Sequence, residues 1–355
     1  MTHSTRDNTL DYLKGIACVL MIFAHAAGTP KSFILIFLRF VGDFAPVIFF
    51  AVAGITASLQ SKKYSLLSIA ISYACLFILG ISDSYAQIYR FGMGILQIIA
   101  IGCFGVTVAE KLNNKNIYGY LIISIIIFSI SLTFKSILLE GSMYSLLIPI
   151  GRVGVFPVFP WLSFFFLGVF AYKVDNRLNI VFSILSLVLI AVCYWSGITL
   201  GLTAKWQMLP GYYLISVFVL FSVFFIARLS NLLFLRKARI LLFFGQNSLL
   251  FFYVHFFFAR IFNHLLAENM VAIWITVAIA TFVSMKLLLI LSKHDRLKER
   301  SENIGIWLII MMLTVLIPLY FNNEVIIYIS ELALGIFFSL YYPILNKIIK
   351  KKINT

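Results

Sequence analysis

The first side chains that could do chemistry are a lysine and a histidine within one apolar segment. Lys14 and His25 lie eleven positions apart, about three helical turns, so they share one face of a helix. Their axial separation would be roughly 16 Å, similar to the reach of an extended pantetheine arm. The lysine could then bind phosphates while the imidazole acts as a base or acyl acceptor. Alternatively, Lys14 reaches lipid headgroups and His25 hydrogen-bonds between helices.

A second polar group interrupts an apolar segment much later in the chain. Gln246, Asn247 and Ser248 are consecutive and are flanked by apolar residues on both sides. Such side chains either form hydrogen bonds between helices or line a binding pocket. Both interpretations remain open at this stage.

Three further charged residues are candidates for binding an acceptor substrate. Arg39 and Asp43 have the i, i+4 spacing of a helical ion pair, which would make their burial tolerable. Arg152 precedes Pro157 and Pro160 on a predicted outer connection. An anionic or sugar acceptor could bind there, although a contact with a lipid headgroup would explain the same residue.

Composition shows in which environment these residues lie. The chain has 355 residues, of which 62% are hydrophobic and only 12% charged, far from the balance of a water-soluble domain. Apolar stretches of bilayer-spanning length recur almost from end to end. The sequence therefore predicts an all-α polytopic membrane helix bundle embedded in the lipid bilayer. We treat residues 1–355 as one domain, with a core at about 5–295 and additional C-terminal helices at 300–355.

The apolar pattern predicts about 10–12 transmembrane helices, with both termini cytoplasmic. Basic residues cluster in alternate connections and at the C-terminal end, as the positive-inside rule requires of cytoplasmic loops. The predicted segments lie at roughly 10–28, 33–59, 65–82, 91–109, 117–134, 157–172, 179–197, 211–228, 240–262, 270–292, 304–321 and 325–345.

The formal net charge of +15 does not indicate nucleic-acid binding. The cations form short clusters between apolar spans, and there is no long basic stripe to follow a phosphate backbone. The four cysteines lie in apolar stretches without CxxC spacing or a neighbouring histidine, so we expect free thiols and no metal site.

Several stretches resemble a known family. Residues 10–25 (LDYLKGIACVLMIFAH) are similar to the opening L-D-x-L-R-G-I-A and following histidine of the transmembrane acyltransferases, with Lys14 in place of the usual arginine. That superfamily comprises the acyltransferase-3 family and the heparan-alpha-glucosaminide N-acetyltransferase-like membrane proteins. Residues 44–54, 94–99 and 156–161 look like later elements of the family, in the expected order.

The run 244–255 (FGQNSLLFFYVH) resembles the family's G-x-x-S-L-x-x-Y-x-x-H element and brings in a second histidine, His255. Phe252 stands at the usual tyrosine position, with Tyr253 beside it. The resemblance implies acetyl or other acyl transfer from cytoplasmic acyl-CoA to an extracytoplasmic glycan or lipid-linked sugar, across a bacterial inner membrane. It implies His25 and His255 as catalytic residues, and Lys14 with the cluster at 246–248 as donor-binding residues.

Two other classes of function remain open. A multi-span transporter or flippase would share the layout, and broken helices or an inverted repeat would support it. A structural or regulatory membrane subunit would tolerate substitution of Lys14, His25 and His255. The acceptor, the acyl chain length and the choice between direct transfer and an acyl-histidine intermediate stay open.

Overall fold

A computed structural model describes residues 8–86, 93–112, 116–135, 147, 156–229, 238–266, 269–321 and 323–354. Every regular element in these ranges is an α-helix, which confirms the predicted fold class. The helices are α1 Asn8–His25, α2 Phe33–Gly42, α3 Ala45–Ser61, α4 Leu66–Ala86, α5 Ile95–Leu112, α6 Tyr118–Lys135, α7 Val158–Lys173, α8 Asn176–Trp195, α9 Pro210–Leu229, α10 Arg239–Gln246, α11 Ser248–Leu265, α12 Met270–Leu291, α13 Asp295–Ser301, α14 Ile304–Tyr320 and α15 Glu324–Asn354.

The chain is a multi-pass membrane protein. Within the described ranges, seven spans are long and apolar enough to cross a bilayer, or eight if α13 and α14, which meet at 80°, form one bent span. The apolar helices in α4, α6 and α7 are shorter, and α1 carries Asp11, Lys14 and His25, which lower its hydropathy. The number that meets the length and composition criteria is therefore smaller than the ten to twelve that the apolar segments predict.

Two predicted segments are each divided into two helices. The segment 33–59 is divided where α2 ends at Gly42 and α3 begins, with Pro46 in the first turn of α3. The segment 240–262 is divided at Asn247, whose φ of −118° and ψ of 33° lie outside the helical range. Hydropathy continues across both breaks, so the apolar pattern alone does not reveal them.

The core of the bundle contains α3 and α7, which approach closely because of two glycines. A β-carbon on Gly54 would overlap the backbone of Phe165, and one on Gly168 would overlap the backbone of Ala51. Trp161 lies fully buried beside them. Small residues at such crossings let helices gain dispersion contacts, which replace the hydrophobic driving force that is lost in lipid.

Basic residues near the C-terminal ends of several helices contact neighbouring helices at one end of the bundle. The ammonium groups of Lys62 and Lys173 lie 3.8 and 2.7 Å from carboxylate oxygens of Glu110. Arg228 donates to the backbone carbonyls of Tyr172 and Val174. The carboxyl ends of α3, α5, α7 and α9 thus meet on one face, as the predicted alternation of basic connections requires. That this face is cytoplasmic stays a prediction.

Candidate functional site

The site begins where α1 and α10 touch backbone to backbone. A β-carbon on Gly15 would overlap the carbonyl oxygen of Leu241, and one on Gly245 would overlap that of Asp11. No larger residue fits at either position without moving a helix. This contact brings Lys14 beside the polar run that follows Gly245.

Lys14 and the polar run line one cavity of about 390 Å³. Gln246, Asn247 and Ser248 contribute at the break between α10 and α11, where the last turn of one helix and the first turn of the next meet. Volumes of this order are usual for small-molecule sites. The structure thus brings together all four residues that the sequence predicts to bind an acyl donor.

Lys14 keeps a loose ion pair within its own helix. Its ammonium nitrogen lies 4.0 Å from a carboxylate oxygen of Asp11, and its side chain is 22% exposed. Asp11 is nearly fully buried, so Lys14 provides part of the charge compensation that this carboxylate needs. The distance is long for a strong ion pair.

The two predicted catalytic histidines contact each other directly. Nδ1 of His25, at the end of α1, lies 3.1 Å from Nε2 of His255 on α11. The rings are nearly parallel, with centroids 5.3 Å apart. His255 is fully buried, whereas His25 is partly exposed.

Hydrogen-bond chemistry assigns the protons of the neutral pair. Nδ1 of His255 lies 2.9 Å from the carbonyl oxygen of Phe251, which can only accept, so this nitrogen carries the proton. Nε2 of His255 then accepts from Nδ1 of His25. The available lone pair of the His25 ring therefore lies on its Nε2, the nitrogen that a base or nucleophile would use.

The histidine pair lies just beyond the cavity. Met21 is one turn before His25 on α1, and Phe252 is one turn before His255 on α11; both line the cavity wall. The imidazoles are not among the lining residues. A ligand filling the cavity would thus reach the helical turn that precedes each histidine.

Asn263 fixes the end of α1 against α11. Its side-chain amide nitrogen donates to the carbonyl oxygen of His25 at 2.7 Å, and its amide oxygen accepts from the backbone nitrogen of Ala27 at 2.9 Å. Both backbone groups lie at a helix end and have no partner within the helix. Sequence reasoning missed this residue, although an asparagine two turns beyond His255 in an apolar helix is a detectable signal.

The predicted ion pair between Arg39 and Asp43 is wrong. The carboxylate of Asp43 instead lies 3.4 Å from the ammonium of Lys205, and Arg39 donates to the backbone carbonyl of Gly28 at 3.3 Å. The backbone of Asp43 is still helical and its N–H donates to the carbonyl oxygen of Arg39 at 3.3 Å, so the i, i+4 spacing is present but the two side chains take other partners. The partner comes from a distant loop that the sequence does not associate with α2.

Lys205 is the second residue that sequence reasoning missed. It lies in the loop between α8 and α9, is only 7% exposed and lies over the ring of Trp206. Burial lowers its pKa, and the carboxylate of Asp43 acts in the opposite direction. Its charge also acts electrostatically on His25, so this loop contributes to the surroundings of the histidine pair. Arg152, the third predicted acceptor contact, lies outside the described residues.

No protein-family model, curated protein or solved structure matches the chain. Within the described ranges, no group of three His, Cys, Asp or Glu side chains could hold a metal ion. The helices define a class, an all-α polytopic membrane protein with a largely apolar cavity that also carries polar and cationic side chains.

Proposed function

We propose that this protein is a membrane-bound acyltransferase of the bacterial inner membrane. It would transfer an acetyl or other acyl group from cytoplasmic acyl-CoA to a hydroxyl or amine of an extracytoplasmic glycan or lipid-linked sugar. The observation that carries the proposal is the His25–His255 pair one turn beyond a cavity lined by Lys14. The motif resemblance to transmembrane acyltransferases agrees with it.

In the proposed reaction, Nε2 of His25 removes the proton of the acceptor as the acceptor attacks the thioester carbonyl. The carbon–sulfur bond breaks, and the thiolate of CoA leaves with its electron pair and takes up the proton from the imidazolium. His255 accepts the Nδ1 hydrogen bond of His25 throughout, which stabilises the imidazolium and fixes its tautomer. In the alternative route through acyl-histidine, the same lone pair attacks the carbonyl first.

The donor would lie along the cavity with its phosphates at Lys14. The polar cluster at the break would then contact the pantetheine arm, whose amides need hydrogen-bond partners when they leave water. Asp43 and Lys205, the latter of which acts electrostatically on His25, would contact the acceptor. The acyl group would cross the membrane while CoA stays on the cytoplasmic side.

The test is an assay on purified protein in detergent, with acetyl-CoA labelled in the acetyl group. We expect CoA binding, slow CoA release without acceptor, and faster release with label transfer when a suitable glycan is present. The well-folded His25→Ala variant should bind CoA but not transfer. A wild-type protein that neither binds CoA nor releases it from acetyl-CoA would overturn the proposal.

The second candidate function is transport, and one observation favours it. The break at Asn247 leaves helix ends inside the bundle, an arrangement that many secondary transporters use for substrate binding. A transporter in proteoliposomes would move a sugar or sugar phosphate without acyl-CoA, and His25→Ala would not abolish that movement. Acyl-CoA-dependent transfer of label would exclude this alternative as the main activity.

A further inference from the structure

The last helix forms one wall of the cavity. The sequence predicts residues 300–355 only as additional helices outside the core, but α15 packs against α4 and α11. Its residues Ser339, Tyr342, Asn346 and Lys350 line the same cavity as Lys14. Their spacing of three or four residues places them on a single helix face. Lys14 and Lys350, the two cations of this lining, thus come from opposite ends of the described chain.

Lys350 is held in position at this wall. Its ammonium nitrogen lies 3.7 Å from the centroid of the Tyr64 ring, in the turn between α3 and α4. A cation over an aromatic ring gains electrostatic attraction without losing its ability to donate elsewhere. Lys347, three residues earlier, is exposed and does not line the cavity.

The charge of the lining is one-sided. Lys14 and Lys350 are its two cations, and the described residues that line the cavity include no aspartate or glutamate. Asp11 offsets part of the charge of Lys14 from 4.0 Å. The net potential inside the cavity still favours an anion, since low-dielectric walls strengthen the field of fixed charges.

Asn346 offers a buried acceptor to a ligand. Its side-chain oxygen is shielded from solvent and accepts no hydrogen bond. In this conformation the oxygen is not reached from the cavity, so a ligand could donate to it only after the amide turns about χ2, which would also remove the cost of an unpaired buried acceptor. Asn346 lies one turn before Lys350, about 6 Å along the helix axis.

We infer that Lys350 and Asn346 complete the donor site, an inference that rests on the proposed function. Lys350 and Lys14 bind the phosphate groups of the acyl-CoA from two sides. The side-chain oxygen of Asn346 accepts a hydrogen bond from an amide or amino group of the same ligand. The C-terminal helix is therefore part of the binding site, and Lys350 is a determinant of specificity for a phosphorylated donor over free pantetheine thioesters.

The experiment measures binding of CoA, 3′-dephospho-CoA and pantetheine to the full-length protein in detergent. We expect Lys350→Ala to weaken CoA binding by about 10-fold or more, as for loss of a charge-assisted hydrogen bond, and to leave pantetheine binding nearly unchanged. Lys350→Arg should retain most of the affinity. Lys347→Ala is the matched control on the same helix and should bind CoA as the wild type does. Asn346→Leu should weaken the binding of both CoA and pantetheine if an amide of the pantetheine arm donates the hydrogen bond to Asn346. It should weaken the binding of CoA alone if the amino group of the adenine donates it.

Several outcomes would overturn the inference. Unchanged CoA affinity in Lys350→Ala, with tight wild-type binding, would leave the proposed function standing and remove α15 from the donor site. Equal loss of CoA and pantetheine in Lys350→Ala, with a lower thermal midpoint, would show that Lys350 only anchors the helix. An effect seen only in nanodiscs containing anionic lipid would assign Lys350 to a lipid headgroup. A wild-type protein that binds no CoA would overturn both proposals.

Discussion

Nδ1 of His25 and Nε2 of His255 lie 3.1 Å apart, and the carbonyl oxygen of Phe251 fixes which of the two rings accepts. The chain Phe251–His255–His25 orients one imidazole through another, much as a carboxylate orients the histidine of a catalytic triad. In this chain a buried neutral imidazole, His255, takes the place that the carboxylate has in a triad. The arrangement therefore adds no negative charge to an apolar environment.

Replacement of His25 tests the central role assigned to it. We expect His25→Ala to fold and to bind acyl-CoA, while transfer of labelled acetyl falls by at least about 100-fold, the usual scale of general acid–base catalysis. His25→Asn and His25→Gln should not restore transfer, because an amide has no basic nitrogen. If an amide restored most of the activity and Ala lowered thermal stability, the role of His25 would be structural.

Replacement of His255 tests the orientation of His25. His255→Gln retains a side-chain carbonyl that can accept from His25, whereas His255→Leu retains only the bulk. We expect the leucine variant to lose about 10- to 100-fold in kcat, as for one charge-assisted hydrogen bond, and the glutamine variant to lose less. KM for acyl-CoA should stay the same in both variants. Equal kcat losses would show that hydrogen-bond acceptance by His255 is irrelevant.

Lys14 variants test the proposed contact between this lysine and the phosphates of the donor. Lys14→Ala should raise the dissociation constant of CoA by about 10- to 100-fold, because a charge-assisted hydrogen bond is lost. Lys14→Arg should preserve or improve binding, since guanidinium offers a bidentate geometry to phosphate. Both can be measured by calorimetry in detergent. Equal losses in the two variants would indicate a steric requirement at this position.

The backbone contact between α1 and α10 should tolerate no side chain. Gly245→Ala would insert a methyl group into the carbonyl of Asp11, and we expect a destabilisation of about 1–3 kcal/mol or more together with weaker CoA binding. Gly105→Ala is the matched control, because its β-carbon would meet Phe166 at an ordinary 3.7 Å. That variant should be neutral or more stable by up to about 1 kcal/mol, as helix propensity predicts. Thermal unfolding distinguishes the two, and a neutral Gly245→Ala would contradict the geometry.

The pH dependence of stability reports on Lys205. Burial lowers the pKa of this lysine below its ordinary value of 10.5. At pH values between the lowered pKa and 10.5, the unfolded chain therefore binds more protons than the native protein. Stability relative to a Lys205→Met variant should therefore rise with pH as the pH passes through the lowered pKa toward 10.5. Asp43→Asn removes the carboxylate that opposes this shift and should extend the rise to lower pH. Parallel unfolding curves for wild type and Lys205→Met at all pH values would contradict this prediction.

Some elements of the site can be read from short-range pattern. The helical repeat places Lys14 and His25 on one face, and the motif resemblance points to His255 and to the polar run at 246–248. The ion pair of Asp43 could not be found in this way, because its partner, Lys205, is 162 positions away in a loop. Asn263 is visible as a polar residue in an apolar helix, but its partners are backbone groups of another helix.

The sequence by itself determines that this chain is an all-α multi-pass membrane protein, since only helices satisfy the backbone of such long apolar stretches within lipid. It also limits the candidate chemistry to the few ionisable and polar residues inside those stretches. Tertiary structure alone decides which of them meet: His25 with His255 across 230 positions, Asp43 with Lys205, and Lys14 with Lys350 around one cavity. Local periodicity defines the face of each helix, but contacts between faces depend on close helix approach at residues such as Gly15 and Gly245, whose effect appears only when the helices pack.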